Sequence, residues 1–140
     1  MKKLVTSGEI QRLFATFDEG TIIRRPNLRR FARDNGVTLY MFETAWLIDC
    51  KEFMAAVTPK GELPKTEMPI IRCKHSALIL FNETHEYAVD KHTIDRCTDS
   101  PNVSKYKYER KWFINYKELE KEIERRVADG IEKKREKQVL

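Results

Sequence analysis

The first part of the chain alternates between apolar and polar positions with the period of a helix. One helical face is formed by apolar residues three and four positions apart: Ile10, Leu13, Phe14 and Phe17. Thr6 and Glu9 have the spacing of a capping box, in which a hydroxyl caps the helix and a carboxylate bonds back to it. A second helix is predicted from Pro26, a residue favoured in a first helical turn, to Asn35-Gly36, which suits a left-handed cap.

The pattern then changes to that of a β-hairpin followed by a third helix. β-Branched and aromatic residues fill the stretch 37–48, and Glu43-Thr44 at its centre predicts the turn between two strands. Asp49 and Glu52 repeat the capping-box spacing at the start of the next helix. The predicted order is helix, helix, hairpin and short helix.

The same pattern occurs again when the chain is shifted by 66 residues, which aligns Trp46 with Trp112. The other identical pairs are Arg30/Arg96, Val37/Val103, Tyr40/Tyr106, Glu43/Glu109, Ile48/Ile114, Lys51/Lys117 and Glu52/Glu118. This period is longer than the roughly 20 to 50 residues of solenoid repeats. We therefore interpret the chain as two copies of one small module.

The repeat also settles a choice that periodicity leaves open in the second copy. The apolar run Ala77–Phe81 fits a buried strand as well as a helix, and its alignment with Gln11–Ala15 favours a helix. Asp90 is predicted to cap a helix that is buried at Ile94 and Cys97. The predicted organisation is a first module at 1–58, a linker at 59–69, a second module with its C-terminal helix at 70–131 and a flexible tail at 132–140.

The last helix is longer than its counterpart and carries apolar residues at four-residue intervals among dense charges: Leu119, Ile123, Val127 and Ile131. One interpretation is an apolar stripe that packs on its own module. The other is a homodimer through this helix, against which Gly130 and the small number of heptads weigh.

Composition narrows the classes of function. The 27 Lys and Arg residues against 22 Asp and Glu give a net charge of +5, which is compatible with a polyanionic partner. Three cysteines without a C-x-x-C pair argue against a disulfide framework and suit a reducing cytosol. No apolar run approaches the roughly 20 residues that span a bilayer. We therefore expect a soluble, cytoplasmic protein with no membrane partner.

Helix, turn, basic helix and hairpin is the layout of a winged helix-turn-helix. The segment Lys111–Leu119 resembles the winged-helix domains of phage and transposon excisionases, relatives of the MerR group, and Phe31–Gly36 leading to Trp46–Asp49 looks like the same type. The resemblance covers most of the chain. It implies an α+β, mainly α fold of two tandem winged helix-turn-helix modules plus an extended C-terminal helix. The implied function is non-enzymatic binding of double-stranded DNA, as an excisionase-like architectural factor or transcriptional regulator of a mobile element or phage, with a recombinase as a further partner.

The resemblance places the DNA contacts on the second helix and the hairpin. In the first module they are Arg24, Arg25, Asn27, Arg29, Arg30 and Arg33, and in the second Lys91, His92, Arg96, Lys105, Lys107, Arg110 and Lys111. Arginines there can bind phosphates or contact guanine in a bidentate manner. Asp95 and Asp99, which align with Arg29 and Arg33, would repel phosphates. The predicted footprint therefore combines the helix of the first module with the wing of the second.

The first hairpin is apolar on both strand faces, Leu39 and Met41 on one and Tyr40 and Phe42 on the other. We expect it to be buried on both faces and to join the modules. Trp46 and Trp112 are expected to anchor each hairpin in the core.

Other chemistry is not predicted. Cys73, His75, His85 and His92 lack zinc-finger spacing, so no metal site is expected. No recognisable nucleophile and base arrangement and no Gly-rich phosphate loop is present, so neither a catalytic site nor a cofactor is expected. The alternative function is a protein-interaction module, an inhibitor or adaptor that keeps the winged-helix scaffold without binding DNA. The acidic substitutions in the second module and the modest net charge favour that alternative.

Overall fold

A computed structural model of the chain describes residues 3–57, 69–108 and 111–139. Over these residues it contains six helices and two three-stranded sheets, so the prediction of a mixed α and β structure is confirmed. The chain forms two compact units, whose boundary falls between Ile71 and Arg72. Except for Pro69, the predicted linker lies outside the described residues.

The two sheets and their helices follow the same element order, and the boundary between the units falls within the first strand of the second sheet. The first unit contains β1 (Leu4–Val5), α1 (Ser7–Phe17), α2 (Arg25–Asp34), β2 (Leu39–Phe42), β3 (Ala45–Asp49) and α3 (Cys50–Val57). The second sheet and its helices comprise β4 (Ile71–Arg72), α4 (Lys74–Thr84), α5 (Lys91–Thr98), β5 (Lys105–Tyr108), β6 (Lys111–Asn115) and α6 (Tyr116–Val139). The sheet orders are β1-β3-β2 and β4-β6-β5, so each hairpin gains a short third strand that the sequence pattern did not predict.

The predicted ends of the first two helices are confirmed. The Thr6 hydroxyl accepts the Glu9 N–H at 3.2 Å, and the Glu9 carboxylate accepts the Thr6 N–H at 3.4 Å, which completes the capping box. At the end of α2, Gly36 has a φ of 71°. The Val37 N–H donates to the Ala32 carbonyl at 2.8 Å. This is a Schellman motif, in which glycine adopts the left-handed conformation at little cost.

All three helices of the first unit contribute aromatic rings to its core. Phe53 of α3 packs edge-on against Phe31 of α2 at 5.2 Å and Phe14 of α1 at 6.3 Å between ring centroids. Such pairs add about 0.5–1.5 kcal/mol to the free energy gained from burying their area. Phe17, predicted on the same apolar face of α1, is instead 43% exposed, because it lies in the last turn of that helix.

The apolar run of the second copy is helical, as predicted, but its alignment with the first copy needs a correction. In α4 the buried residues are Ala77 and Phe81, and in α1 they are Ile10 and Phe14, which is a spacing of 67 residues. The spacing returns to 66 residues at α2 and α5. The connection between the first two helices is therefore one residue shorter in the second unit.

The cap that precedes α3 also ties this helix to the hairpin. The Asp49 carboxylate accepts the Glu52 N–H at 3.0 Å, as the spacing predicts. The Glu52 carboxylate accepts the Thr38 N–H at 2.8 Å, so it bonds across to the start of β2.

The second unit repeats this arrangement with the same glutamate and with Asn115 and Ser104 in place of Asp49 and Thr38. Asn115 Oδ1 accepts the Glu118 N–H at 3.2 Å, and the Glu118 carboxylate accepts the Ser104 N–H at 2.7 Å. The buried Nδ2 of Asn115 has no hydrogen-bond partner among the residues the structure describes. The contact between hairpin and last helix therefore belongs to the shared framework of both units.

The last helix packs on its own unit through the first part of its apolar stripe. Leu119 and Ile123 are fully buried, and Val127 is half-buried. The helix continues to Val139 through the segment predicted as a tail, and both the flexibility of 132–140 and dimerisation through this helix stay predictions. Within the described ranges, no helix combines the length and apolar character needed to cross a membrane.

Candidate nucleic-acid interface

Helix α2 separates its apolar and basic residues onto opposite faces. Leu28, Phe31 and Ala32 are buried against the core, whereas Arg29 and Arg33 are exposed on the other side. This separation follows from the helical period, because residues three and four positions apart share a face. The outward face carries a concentration of positive charge that the core packing of α2 holds in place.

Three arginines of this region form no ion pair with any described residue. They are Arg24, which precedes the helix, and Arg29 and Arg33 within it, and all three are exposed. Their guanidinium groups are therefore available to an external anion. Asn27 is half-buried on the same helix.

A groove of about 290 Å³ runs between α2 and the first hairpin. Its lining combines basic and apolar side chains: Pro26, Arg29, Arg30, Arg33, Leu39 and Trp46. Guanidinium groups bind phosphates and stack on aromatic faces, and an indole ring can stack on a base. The groove therefore offers both charge and flat apolar surface to a ligand.

Arg25 has a structural contact that separates it from Arg24, Arg29 and Arg33. Its Nε donates to Gln11 Oε1 at 3.4 Å, and Gln11 Nε2 donates to the Ile23 carbonyl at 2.8 Å. A Cβ placed on Gly8 would lie 3.2 Å from the Arg25 guanidinium, so this side chain rests against the first turn of α1. Arg25 joins α1 to α2 as well as adding charge.

The first hairpin does not have the predicted burial. Met41 is 57% exposed and Phe42 64% exposed, and Trp46 is 39% exposed rather than a core anchor. The reason is the shape of the sheet, since β1 pairs only with the base of β3, at Ile48 and Asp49. The prediction that both faces of this hairpin are buried was wrong.

The sequence pattern did not indicate that Trp46 and Leu39 line the groove. Trp46 pairs with Met41 across the hairpin, and Leu39 pairs with Ile48, so these residues share one sheet face. The sequence contained one indication of this exposure. The hairpin has apolar residues on both strand faces, and a sheet with helices on one face can bury only one of the two sets.

The second helix of the other unit has a different electrostatic arrangement. Asp95, at the position of Arg29, forms an ion pair with Lys74 at 3.1 Å. The same Lys74 ammonium lies 5.7 Å from the centroid of the Trp112 ring, and Lys107 lies 5.3 Å from it. Trp112 is half-buried between two cations, which corrects its predicted role as a core anchor.

The predicted contacts of the second unit divide into engaged and exposed side chains. Lys105 donates to the carbonyls of Thr98 at 2.8 Å and Ser100 at 3.3 Å, so it caps the C-terminal end of α5. The exposed candidates are Lys91, His92, Arg96, Lys107 and Lys111. Arg110 lies outside the described residues. Lys105 thus has a structural function that its sequence position did not indicate.

No protein family, no curated protein and no solved structure matches this chain.

Proposed function

We propose that the protein binds double-stranded DNA without catalysing a reaction, through tandem winged helix-turn-helix modules. Its role is that of an excisionase-like architectural factor or a transcriptional regulator of a mobile element or phage. The observation that carries this proposal is the exposed basic surface at α2, where Arg24, Arg29 and Arg33 lie above a helix anchored by its apolar side.

The dimensions of α2 suit the major groove. The helix has 10 residues, which corresponds to a length of about 15 Å. A major groove about 12 Å wide accepts one α-helix, and arginines on its outward face reach phosphates and guanine edges. On the protein, the groove of about 290 Å³ is lined by residues of both α2 and the first hairpin, so the hairpin lies on the same side as these arginines.

The first hairpin suits an architectural role. Proteins that bend DNA often insert apolar side chains between base steps of the minor groove, which unstacks them and kinks the duplex. Met41 and Phe42 are exposed near the tip of a hairpin that adjoins the basic helix. In this arrangement α2 occupies the major groove and the hairpin tip wedges into the adjacent minor groove.

The test is fluorescence anisotropy of a labelled random-sequence duplex at two salt concentrations. Binding that neutralises phosphates weakens steeply with salt, because condensed counterions are released. We expect the triple variant Arg24→Ala, Arg29→Ala, Arg33→Ala to bind at least about tenfold more weakly. The slope of its salt dependence should fall by about 0.9 for each phosphate that is no longer neutralised.

The matched control removes three positive charges elsewhere, with Lys3→Ala, Lys51→Ala and Lys121→Ala, all at exposed positions. If both triple variants bind equally well, the basic face of α2 is not the contact surface. If the parent protein binds no duplex at low salt, the proposal fails.

A protein-interaction module is the second candidate. The exposed apolar hairpin beside three arginines favours it, because this surface would also accept a partner with apolar and acidic side chains. The ion pair between Lys74 and Asp95 is compatible with both DNA binding and protein binding. Absence of duplex binding at low salt would leave this second candidate as the better one.

A further inference from the structure

A histidine and two glutamates from distant parts of the second unit meet at one point. His85 immediately follows α4, and Glu120 and Glu124 lie one turn apart on α6. His85 Nε2 lies 3.1 Å from Glu124 Oε1 and 3.3 Å from Glu120 Oε2. The three candidate ligand atoms all lie within 4.8 Å of one another.

The partners of the second ring nitrogen of His85, Nδ1, determine whether Nε2 presents a hydrogen or a lone pair to the two carboxylates. His85 Nδ1 lies 2.9 Å from the Phe81 carbonyl oxygen, which can only accept, and 3.0 Å from the Thr84 hydroxyl, whose own hydrogen is donated to the Leu80 carbonyl at 2.8 Å. This network of partners assigns the ring hydrogen to Nδ1. A neutral ring then directs the Nε2 lone pair at two carboxylates. A lone pair and two anionic oxygens at these distances repel one another unless a cation lies between them. The cation is either a second proton on the ring or a metal ion.

The side chains are held in place by contacts outside the cluster. The His85 ring stacks on Phe81 with centroids 3.7 Å apart, and Tyr87 packs edge-on against it at 5.9 Å. The Tyr116 hydroxyl donates to Glu120 Oε2 at 3.4 Å, and Lys117 lies 3.9 Å from the other oxygen, Oε1. A ligand histidine whose second nitrogen binds a carbonyl, with a carboxylate that is itself hydrogen-bonded, is the usual outer environment of a protein metal site.

The distances and donor types favour zinc over harder cations. Bonds of about 2.0–2.2 Å in a tetrahedral zinc site place neighbouring ligand atoms about 3.3–3.6 Å apart. The two separations at His85 Nε2 need only a small adjustment to reach this value. One imidazole with two carboxylates suits a first-row divalent ion, whereas Ca²⁺ and Mg²⁺ prefer oxygen ligands throughout.

We propose that His85, Glu120 and Glu124 bind a Zn²⁺ ion, with water completing the coordination on the side of Glu124. That side is open, because the Glu124 side chain is 48% exposed while those of His85 and Glu120 are 14% and 20% exposed. The ion would join the end of α4 to α6 and so stabilise the second unit. This proposal does not depend on DNA binding.

The groups around His85 also affect its protonation. Burial lowers the pKa of His85, but hydrogen bonds to Glu124 and Phe81 and the charges of both glutamates outweigh this, so the pKa is raised overall. A proton therefore competes with the metal ion for the same position. Zinc affinity should weaken as the pH falls, because His85 must lose that proton to bind the ion.

The experiment uses untagged full-length protein treated with a chelator and titrated with zinc chloride by calorimetry at pH 7.5. We expect one bound Zn²⁺ per chain. At a hundredfold excess over the dissociation constant, thermal denaturation should show a rise in Tm of about 5–10 °C. His85→Gln and Glu124→Gln should each weaken zinc binding at least about tenfold. Glu124→Gln is the safer variant for folding, since its side chain is half-exposed.

Two variants serve as matched controls, because exposed histidines and thiols also bind zinc. His75→Gln removes an exposed imidazole of α4, and Cys73→Ser removes a half-buried thiol next to that helix. Both should bind zinc as the parent does. Loss of binding in the controls but not in Glu124→Gln would overturn the proposal. The proposal would also be overturned if zinc left the Tm unchanged and NMR showed that the His85 ring titrates, since the cluster would then hold only a proton.

Discussion

The two hairpins have the same strand pairing, but the side chains that they expose differ in polarity. In β2–β3, Leu39 pairs with Ile48, and in β5–β6, Lys105 pairs with Ile114 in the same register. Toward the tip the first hairpin exposes Met41 and Phe42, whereas Lys107 is exposed at the position of Met41 in the second. The two hairpins therefore keep the same strand pairing, while exposed side chains such as Met41 and Lys107 differ in polarity.

The second helices differ in the same way. Arg29 of α2 is exposed without an ion-pair partner among the described residues, while Asp95 at the aligned position of α5 is paired with Lys74. A negative charge in this position is tolerated because a lysine from the neighbouring helix neutralises it. The first unit therefore offers an anion more accessible positive charge on this helix than the second does.

The largest effect on stability should come from truncating a core side chain that occupies the same aligned position in both units, in one unit at a time. Phe53→Ala removes a ring that contacts two others, and Leu119→Ala removes its buried counterpart in the second unit. We expect decreases of about 3–5 and 2–5 kcal/mol in the free energy of unfolding. Urea denaturation measures them, and the fluorescence of variants that keep only Trp46 or only Trp112 reports on each unit separately. A decrease under about 1 kcal/mol would contradict the shared core.

Acid should have a smaller effect, and it should lower the stability of the second unit more than that of the first. Hydrogen bonds from Arg125 outweigh the opposing effect of burial and, with those from Arg126 and Asn102, lower the pKa of Glu122 to about 2. The aligned residue of the first unit is Ala56. The folded-state pKa is below the ordinary value, so this contribution is complete above about pH 4.5 and is lost as the pH falls toward 2.

The shift from 4.5 to about 2 in this buried side chain corresponds to about 3 kcal/mol, since one pKa unit is about 1.4 kcal/mol, and about 2 kcal/mol of it should be lost between pH 6 and 3. Urea denaturation between pH 6 and 3 should show this decrease in a Trp46→Phe background, where only Trp112 fluoresces as tryptophan. Glu122→Gln should be less stable than the parent at pH 6 and should lose less stability on acidification. Equal pH dependence in both proteins would rule out this role for Glu122.

The smallest effect on stability should come from the tips of the hairpins. Phe42→Ala and Lys107→Ala alter exposed side chains, so each should change the free energy of unfolding by no more than about 0.5 kcal/mol. Their effects on DNA should differ, because an apolar wedge bends the duplex and a lysine adds phosphate binding. Energy transfer between dyes on the duplex ends should show a smaller bend with Phe42→Ala only. An unchanged bend would exclude the wedge.

Much of the framework was predictable because its signals are local. The capping box at Thr6 and Glu9 and the left-handed Gly36 depend on residues within one or two turns of the chain. The strands β1 and β4 were not predictable, since a strand of two residues carries no periodicity. The shorter connection before α5 was not predicted either, because a uniform shift of 66 residues contains no gap.

The candidate interface was predictable in part. Positions of charge on α2 follow from helical period, so the exposure of Arg29 and Arg33 agrees with the sequence pattern. The engagement of Lys105 with the end of α5 and of Asp95 with Lys74 did not follow from the sequence. Each depends on elements that meet only after folding.

The helices and hairpins, their order and their repetition could be predicted from the sequence alone, because capping, turn formation and apolar periodicity act between near neighbours. The tertiary structure decided which apolar residues are buried and which charges are neutralised. Met41 and Phe42 have the composition of core residues, yet no described element covers them. His85 meets Glu120 and Glu124 only because α4 and α6 are brought together. Burial and ion pairing depend on neighbours that the chain supplies from a distance.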